Sequence, residues 1–550
     1  MSMLRRAPLA LVCLALVACP EHAPAWYGFT GAELSGSTGS TGIPEPGGTT
    51  TTKPDDASTS MSGGSMTGEA GTGDSTAGEA STGGSVGELL LPELLEVEMP
   101  AKVNLAGPVA FTVTTRHAKT ARANLDGAPL APLQDEGGGV FSGVVPIFGA
   151  VDNGAHVLEV IAENGQLADL REVPFEVATP APGSVQWAVL HPTGSATRRV
   201  AVTPEGDVIE VGHLDVAGVA RPSIRKRSAL NGTELWDEGT IVLDNRQGTA
   251  EDVAVPPDGR MWVAMNVREP SNKWRPRIVL LDALGHETGV EMPGEPGPTV
   301  RALDHDGTGG VFAAGYANTG YGDADIAVWR MTGDHVAVFS AKLWDYWPAD
   351  KQEHSFTDLA FDVVVQDDVA WVVGSSHGKH EVDALDVRGI IVRMDVDNGM
   401  VLVSAIVQPT INAWRQSMFF GATGHPDGIA VAGNGMTADG TAQRIELSVF
   451  NAAGERKLHA PEPAAVVAQG NAVALNTHGV FVVAGWVKEG DVLRGVLLGR
   501  GTSTFDLKFP PHKESSAALG VALDPFDQAF VGGYMTYGGT AQARVARVAQ

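Results

Sequence analysis

Val480-Phe-Val-Val-Ala-Gly-Trp486 is a β-branched, apolar run ending in a glycine and one aromatic residue, and six near-copies of it recur along the chain. They are Val208–His213, Met261–Asn266, Val311–Tyr316, Ala370–Ser375, Ile429–Asn434 and Phe530–Tyr534. Alone, such a run reads as one buried strand. Its recurrence constrains the chain more than any other feature. With Gly212, Met265, Gly315, Gly374, Gly433, Gly485 and Gly533 as anchors, the steps range from 48 residues (Gly485 to Gly533) to 59 (Gly315 to Gly374). A period near fifty with several strands per unit predicts a β-propeller over residues 183–550, one blade per repeat.

Each unit has the same grammar. An apolar strand such as Ser195–Val202 leads through a turn, for example Pro204-Glu-Gly206 or Pro257-Asp-Gly259, into the recurring run. A third strand such as Ile326–Met331 follows, then a fourth such as Glu234–Trp236 or Ala341–Trp344. The last unit stops after its third strand, Ala543–Val548. Ser184–Leu190, with Trp187 where Trp236 and Trp344 stand in their units, supplies the missing fourth strand and is expected to close the ring. The count closes at seven blades; one misread unit would make it six or eight.

The chain before the repeat divides into three. Residues 1–19 read as a targeting segment: Arg5 and Arg6, then the apolar stretch Ala7–Ala18, too short to span a bilayer. Leu16-Val-Ala-Cys19 resembles the bacterial lipobox, which implies lipidation of Cys19 and a lipid anchor in the membrane. Residues 20–86 are rich in Gly, Ser and Thr, cannot bury enough apolar surface to order, and predict a disordered linker. Its r.m.s. reach is about 45 Å. Residues 87–182 carry alternating runs such as Val109–Thr114 and His156–Ala162, separated by turn signals such as Asp126-Gly127 and Asn164-Gly165, and predict a small β-sandwich. Its pattern resembles the bacterial immunoglobulin-like domains of surface proteins, without the inter-sheet cysteines of antibody domains.

The V-A-x-D-x-x-G-x-V-x-V-A-G-Y character of the units, with the lipobox and tether, resembles the secreted β-propeller repeat lipoproteins of Gram-negative, myxobacteria-like bacteria. The resemblance implies a fold and a place on the cell envelope, at the outer membrane or cell surface. It implies no activity, since propellers host binders and enzymes alike. The net charge of −27 argues against nucleic acid and against docking by charge on an anionic membrane. Both cysteines, Cys13 and Cys19, lie in the targeting segment, so the body has neither a disulfide nor a cysteine zinc site.

Several motifs suggest chemistry, each with a plainer explanation. Gly374-Ser-Ser-His-Gly378 matches the G-x-S-x-G elbow, but no helical pattern follows it. His377, His380, Glu381, Asp383 and Asp386 crowd one loop of the fourth blade; His377, His380, Asp383 and Asp386 have the donors for a divalent metal, or form a solvated polar loop. Asp304-His-Asp306-Gly307 and Asp395-Val-Asp397-Asn-Gly399 resemble pieces of calcium loops and equally fit tight turns. Trp344, Tyr346 and Trp347 form an aromatic group suited to stacking on a ligand, or to edge packing. Arg225-Lys-Arg227 is expected to be a solvated strand. No cofactor motif occurs. The expectation is a membrane-anchored envelope lipoprotein, a non-enzymatic binding or scaffold protein for an envelope protein or saccharide. The alternative is a hydrolase or lyase on a saccharide or peptide, with carboxylates or histidines of several blades meeting at the channel mouth.

Overall fold

A computed structural model describes residues 90–165, 167–289, 297–318, 324–332, 337–344, 357–378, 386–407, 414–437, 442–461, 467–502, 504–509, 515–537 and 540–550. Apart from one 3-10 turn at Ala150–Asp152, the described elements are all β-strands.

Residues 93–177 form two sheets. One has the strand order Glu93–Glu98, Gly107–Arg116, Val140–Ile147, Gln134–Gly137. The other runs Lys102–Val103, Ala168–Val177, Gly154–Glu163, Thr120–Leu125, Ala128–Pro129. Alternate residues of both sheets, including Phe111, Phe141, Val145, Leu158, Val160 and Phe175, meet in one core.

The rest is a β-propeller. Among the described residues, strand pairing sorts it into seven antiparallel four-stranded units, two of which merge into one sheet through a bridge between Ala324 and Thr357. The inner strands are Ala196–Val202, Gly248–Ala254, Thr299–His305, Thr357–Gln366, Trp414–His425, Ala468–Leu475 and Ser516–Leu523. Each packs beside the next, and the last packs beside the first, which closes the ring. The fourth strand of the last unit is Val185–Thr193, paired antiparallel with Thr540–Val548. Trp187 anchors that seam by donating Nε1–H to Ala229 O of the first unit at 2.8 Å. Trp236 makes the equivalent bond to Ala283 O of the second unit at 3.2 Å.

The recurring run is the second strand of each unit. It is mostly apolar because both faces are covered: Met261–Val267 is buried residue by residue, with Asn266 its one polar member. The cores lie between adjacent units, as where Trp262, Ile278 and Leu280 meet Val311, Trp329 and Met331. Each such side chain contributes roughly 1.5–3 kcal/mol by burial. In the first unit Glu234 makes only an isolated bridge to Arg227, and the fourth strand is Ile241–Val242, beyond the Glu234–Trp236 stretch expected from the sequence.

The sandwich meets the propeller where the inner strands end. Phe148 packs edge-on to His478 at 5.5 Å and lies 6.2 Å from Phe526, both in turns that follow inner strands. Ala150 N donates to Gln550 O at 3.3 Å. A Cβ on Gly149 would lie 2.7 Å from that same carbonyl oxygen, and φ there is 111°, so this contact demands glycine.

Candidate functional site at the channel

Each inner strand skips a residue in its backbone register with the second strand at a corresponding place: Arg198, Glu251, Arg301, Phe361, Phe420, Asn471 and Leu519; Trp414–His425 also skips Arg415 near its start. A β-bulge re-aims the side chain it carries. The seven extra residues line one cavity of about 80 Å³, joined by Arg199 and Gln469.

The bulge explains the anchor glycines. In six units the carbonyl two residues before the bulged residue presses onto the glycine of the second strand. A Cβ would lie 1.9 Å from Thr299 O on Gly315, 1.8 Å from Leu359 O on Gly374 and 1.8 Å from Met418 O on Gly433. The second unit bulges at Glu251 with Met265 in this place. The glycine therefore sets how closely the two strands approach, not whether the bulge forms.

The ring is chemically divided. Units one to three contribute Arg198, Glu251 and Arg301. Glu251 Oε2 lies 3.8 Å from Arg198 Nε and 3.5 Å from Arg301 Nη1. Arg301 Nη2 donates to the Tyr316 hydroxyl at 3.2 Å. Units four and five contribute Phe361 and Phe420, whose rings stand 4.9 Å apart at 40°. Asn471 of unit six gives its amide N–H to Ala518 O and accepts one from Gln469, both at 2.7 Å. Leu519 completes the circle.

Arg199 is the floor. Its Nη1 donates to Leu519 O at 2.9 Å, and it reaches Asn471 O at 3.4 Å and Phe420 O at 3.5 Å. Asp252 Oδ1 is 3.9 Å and Asp362 Oδ2 3.7 Å from its guanidinium. Gly421, Ala472 and Gly520 follow the bulges of units five to seven. On Gly520 a Cβ would stand 2.9 Å from the Arg199 Cα, so glycine lets the last inner strand approach the backbone of the first.

Three carboxyls, Asp252 buried and Asp304 and Asp362 partly buried, pin neighbouring inner strands together. Asp252 accepts from Leu303 N at 2.8 Å, Asp304 from Val365 N at 2.7 Å and Asp362 from Ala422 N at 2.8 Å. Burial pushes Asp252 up to about 7, with Arg199 opposing and Asp362 adding to the rise. Burial likewise lifts Asp304 to about 6 and raises Asp362.

The basic run Arg225–Arg227 departs from its expected solvation. Arg225 and Arg227 are both 3% exposed. Arg227 donates to Glu210 through Nε and to Glu234 at 2.9 Å, and Glu210 also accepts from His191 at 2.9 Å and Thr197 at 3.0 Å. The strand does alternate, but neighbouring structure covers the side holding both arginines, and a buried guanidinium requires a carboxylate.

Of the other residues singled out in the sequence, Cys19, Tyr346, Trp347, His380, Glu381 and Asp383 lie outside the described residues. Trp344, His377 and Asp386 are placed only by their backbones: Trp344 pairs with Ile326, His377 with Val387, and Asp386 with Gly378. Ser376 sits fully buried within a strand, paired with Asp358 and Arg388, rather than on an elbow. Asp306 Oδ1 accepts from Thr308 N and Gly310 N, and Asp395 Oδ1 from Asp397 N and Asn398 N, which is turn chemistry. Among the described residues no three His, Cys, Asp or Glu side chains gather as a metal site.

The channel ring was not singled out from the sequence, although a signal exists: Arg198 precedes Gly212 by fourteen residues, and Phe361 precedes Gly374 by thirteen. That offset from each anchor finds the ring.

No family model and no curated protein matches the chain. Among solved structures it is similar to a streptogramin B lyase at 12% identity over 66% of this chain and 97% of that one, TM-score 0.38. It is also similar to YCF48 bound to D1 peptide at 12% identity over 67% and 98%, TM-score 0.38. Sqt1 from Chaetomium thermophilum matches at 11% identity over 67% and 99%, TM-score 0.37. The fold assignment rests on the strand pairing and ring closure described above.

Proposed function

We propose that this chain is a cell-envelope lipoprotein, anchored through Cys19 and tethered by residues 20–86, whose propeller works as a non-enzymatic binding or scaffold module. One observation carries the reading of the propeller: every unit contributes one bulged side chain to a single cavity. That ring offers guanidinium donors, amides and aromatic faces, the groups that recognise a ligand. The carboxyls of Asp252, Asp304 and Asp362 each accept from a backbone amide of the adjoining unit with one oxygen and from their own strand with the other, which suits holding the ring together rather than proton transfer. The sandwich serves as a spacer. Its reading as immunoglobulin-like is supported by its strand order and by the short edge strand Lys102–Val103 running parallel to Ala168–Val177.

Two experiments test this reading. Cys19→Ala is expected to move the protein from the membrane fraction to the soluble fraction; continued membrane association rejects the anchor. Native mass spectrometry of the protein taken gently from its own envelope is expected to show a bound molecule or protein that Arg301→Ala removes. A bound species unaffected by Arg301→Ala places recognition away from the channel.

A further inference from the structure

We propose that the channel takes one ring of a neutral saccharide, its hydroxyls on Glu251 and Gln469 and its C–H face on the Phe361–Phe420 pair. This deepens the preceding reading and rests on it. Both contacts of the Glu251 carboxylate, to Arg198 at 3.8 Å and to Arg301 at 3.5 Å, fall on Oε2. Its Oε1 has no hydrogen-bond partner among the described residues, although the side chain is only 11% exposed. Gln469 is in the same position: its amide nitrogen donates to Asn471 Oδ1 at 2.7 Å, and its Oε1 accepts nothing among the described residues. Two acceptors, from units two and six, thus line the cavity with capacity unspent. An acceptor held away from bulk water is costly to leave unmade, so the site favours a molecule that donates to both.

The charge pattern selects against ions. An anion at Oε1 meets the Glu251 carboxylate, and a cation there meets the two guanidiniums that stand at Oε2. A hydroxyl donates to Oε1 without adding charge. The aromatic arc supplies the rest. Phe361 and Phe420 are half-buried, 4.9 Å apart, and line the same cavity. An aromatic face packs against apolar surface. A pyranose presents such a surface in its axial C–H groups, while its hydroxyls point outward around its rim. The cavity of about 80 Å³ has room for about five waters, the space of one such ring and not of two.

The test uses the full chain carrying Cys19→Ala, titrated calorimetrically with D-glucose, D-galactose, D-mannose and N-acetyl-D-glucosamine, and with benzoate and benzylammonium as charged controls. At least one sugar is expected to bind about tenfold more tightly than both controls, as hydrogen bonds made only by hydroxyls allow. Glu251→Ala and Phe420→Ala are each expected to weaken it by about tenfold, and Gln469→Ala by severalfold. Phe420→Tyr, which keeps the ring face, is expected to bind within about threefold of the parent, and the melting temperature of each variant separates a lost contact from a lost fold. A trisaccharide of the bound sugar that binds equally marks a single ring as the whole ligand, and one that binds more tightly marks the end of a glycan; both support the class. Benzoate or benzylammonium binding more tightly than every sugar, and lost in Phe420→Ala, overturns the neutral class and leaves the channel as a binding site. Sugar binding unchanged in Glu251→Ala and Phe420→Ala places the sugar elsewhere and overturns the proposed site. No binding of any of these sugars by the folded protein overturns the class, while a native bound species lost in Arg301→Ala would still support the broader reading.

Discussion

Replacing Arg199 with Met tests whether the floor of the channel is an electrostatic device. The side chain is about as long, so the change removes charge and donors more than volume. One contact is a good hydrogen bond, Nη1 to Leu519 O at 2.9 Å, and those to Asn471 O and Phe420 O at 3.4 and 3.5 Å are marginal. A charge-assisted bond contributes about 1.5–3 kcal/mol. The carboxylates add a part that exists only when they are ionised. A folded value near 7 for Asp252, raised by burial above its ordinary 3.8, means that its contribution to stability is full below pH 4 and is lost as pH rises through 7. Arg199 limits that loss. Without it, Asp252 and Asp362 are buried charges lacking their cation, a situation that costs about 3–5 kcal/mol when no relief exists. Here each keeps two amide donors and is able to take up a proton, so the lower end applies. The expected penalty is therefore about 2 kcal/mol at pH 5, rising to about 4 kcal/mol at pH 8.5. Urea unfolding followed by tryptophan fluorescence measures it. Of the 11 tryptophans only Trp26 lies outside residues 187–486, so the signal reports on the propeller and not the sandwich. A penalty independent of pH, or below about 1 kcal/mol at pH 5, would refute the reasoning.

Gly374→Ala drives a Cβ to 1.8 Å from Leu359 O, backbone against backbone, and is expected to cost about 3 kcal/mol in a thermal melt. Gly259→Ala, which meets nothing within 4 Å at φ 78°, should cost only about 1 kcal/mol; equal costs would remove the close-approach explanation. Burial alone would raise the Glu210 carboxyl, but His191 and Arg227 outweigh it and hold the group at about 2. Its contribution is present above about pH 4.5 and lost as pH falls toward 2, so Glu210→Gln should cost about 3 kcal/mol at pH 7 and progressively less in acid unfolding below pH 5. A constant gap between the two proteins would count against this network.

The all-β class and the propeller were legible because a period-fifty recurrence is written into local chemistry. Second strands buried on both faces are mostly apolar, so Val480–Trp486 and its copies announce themselves. Positive-φ turn positions favour glycine, as at Gly206 and Gly259, so most turns announce themselves too. Where the same reasoning failed, the missing information was who the neighbours are. Alternation correctly put Arg225 and Arg227 on one side of their strand and Lys226 on the other; it did not say that this side faces Glu210 and His191. The fourth strand of the first unit is set by its pairing with Ser223 and Ile224, which no local pattern around Glu234 encodes.

By itself, then, the sequence determined strand content, repeat length and the glycine anchors, because each depends on residues close along the chain. Tertiary structure decided the channel site. Arg198, Glu251, Arg301, Phe361, Phe420, Asn471 and Leu519 lie roughly fifty residues apart, and each looks like an ordinary strand position. Only when the first and last inner strands meet do seven bulges point into one cavity. Only then does Arg199 come within reach of Asp252 and Asp362 from units two and four.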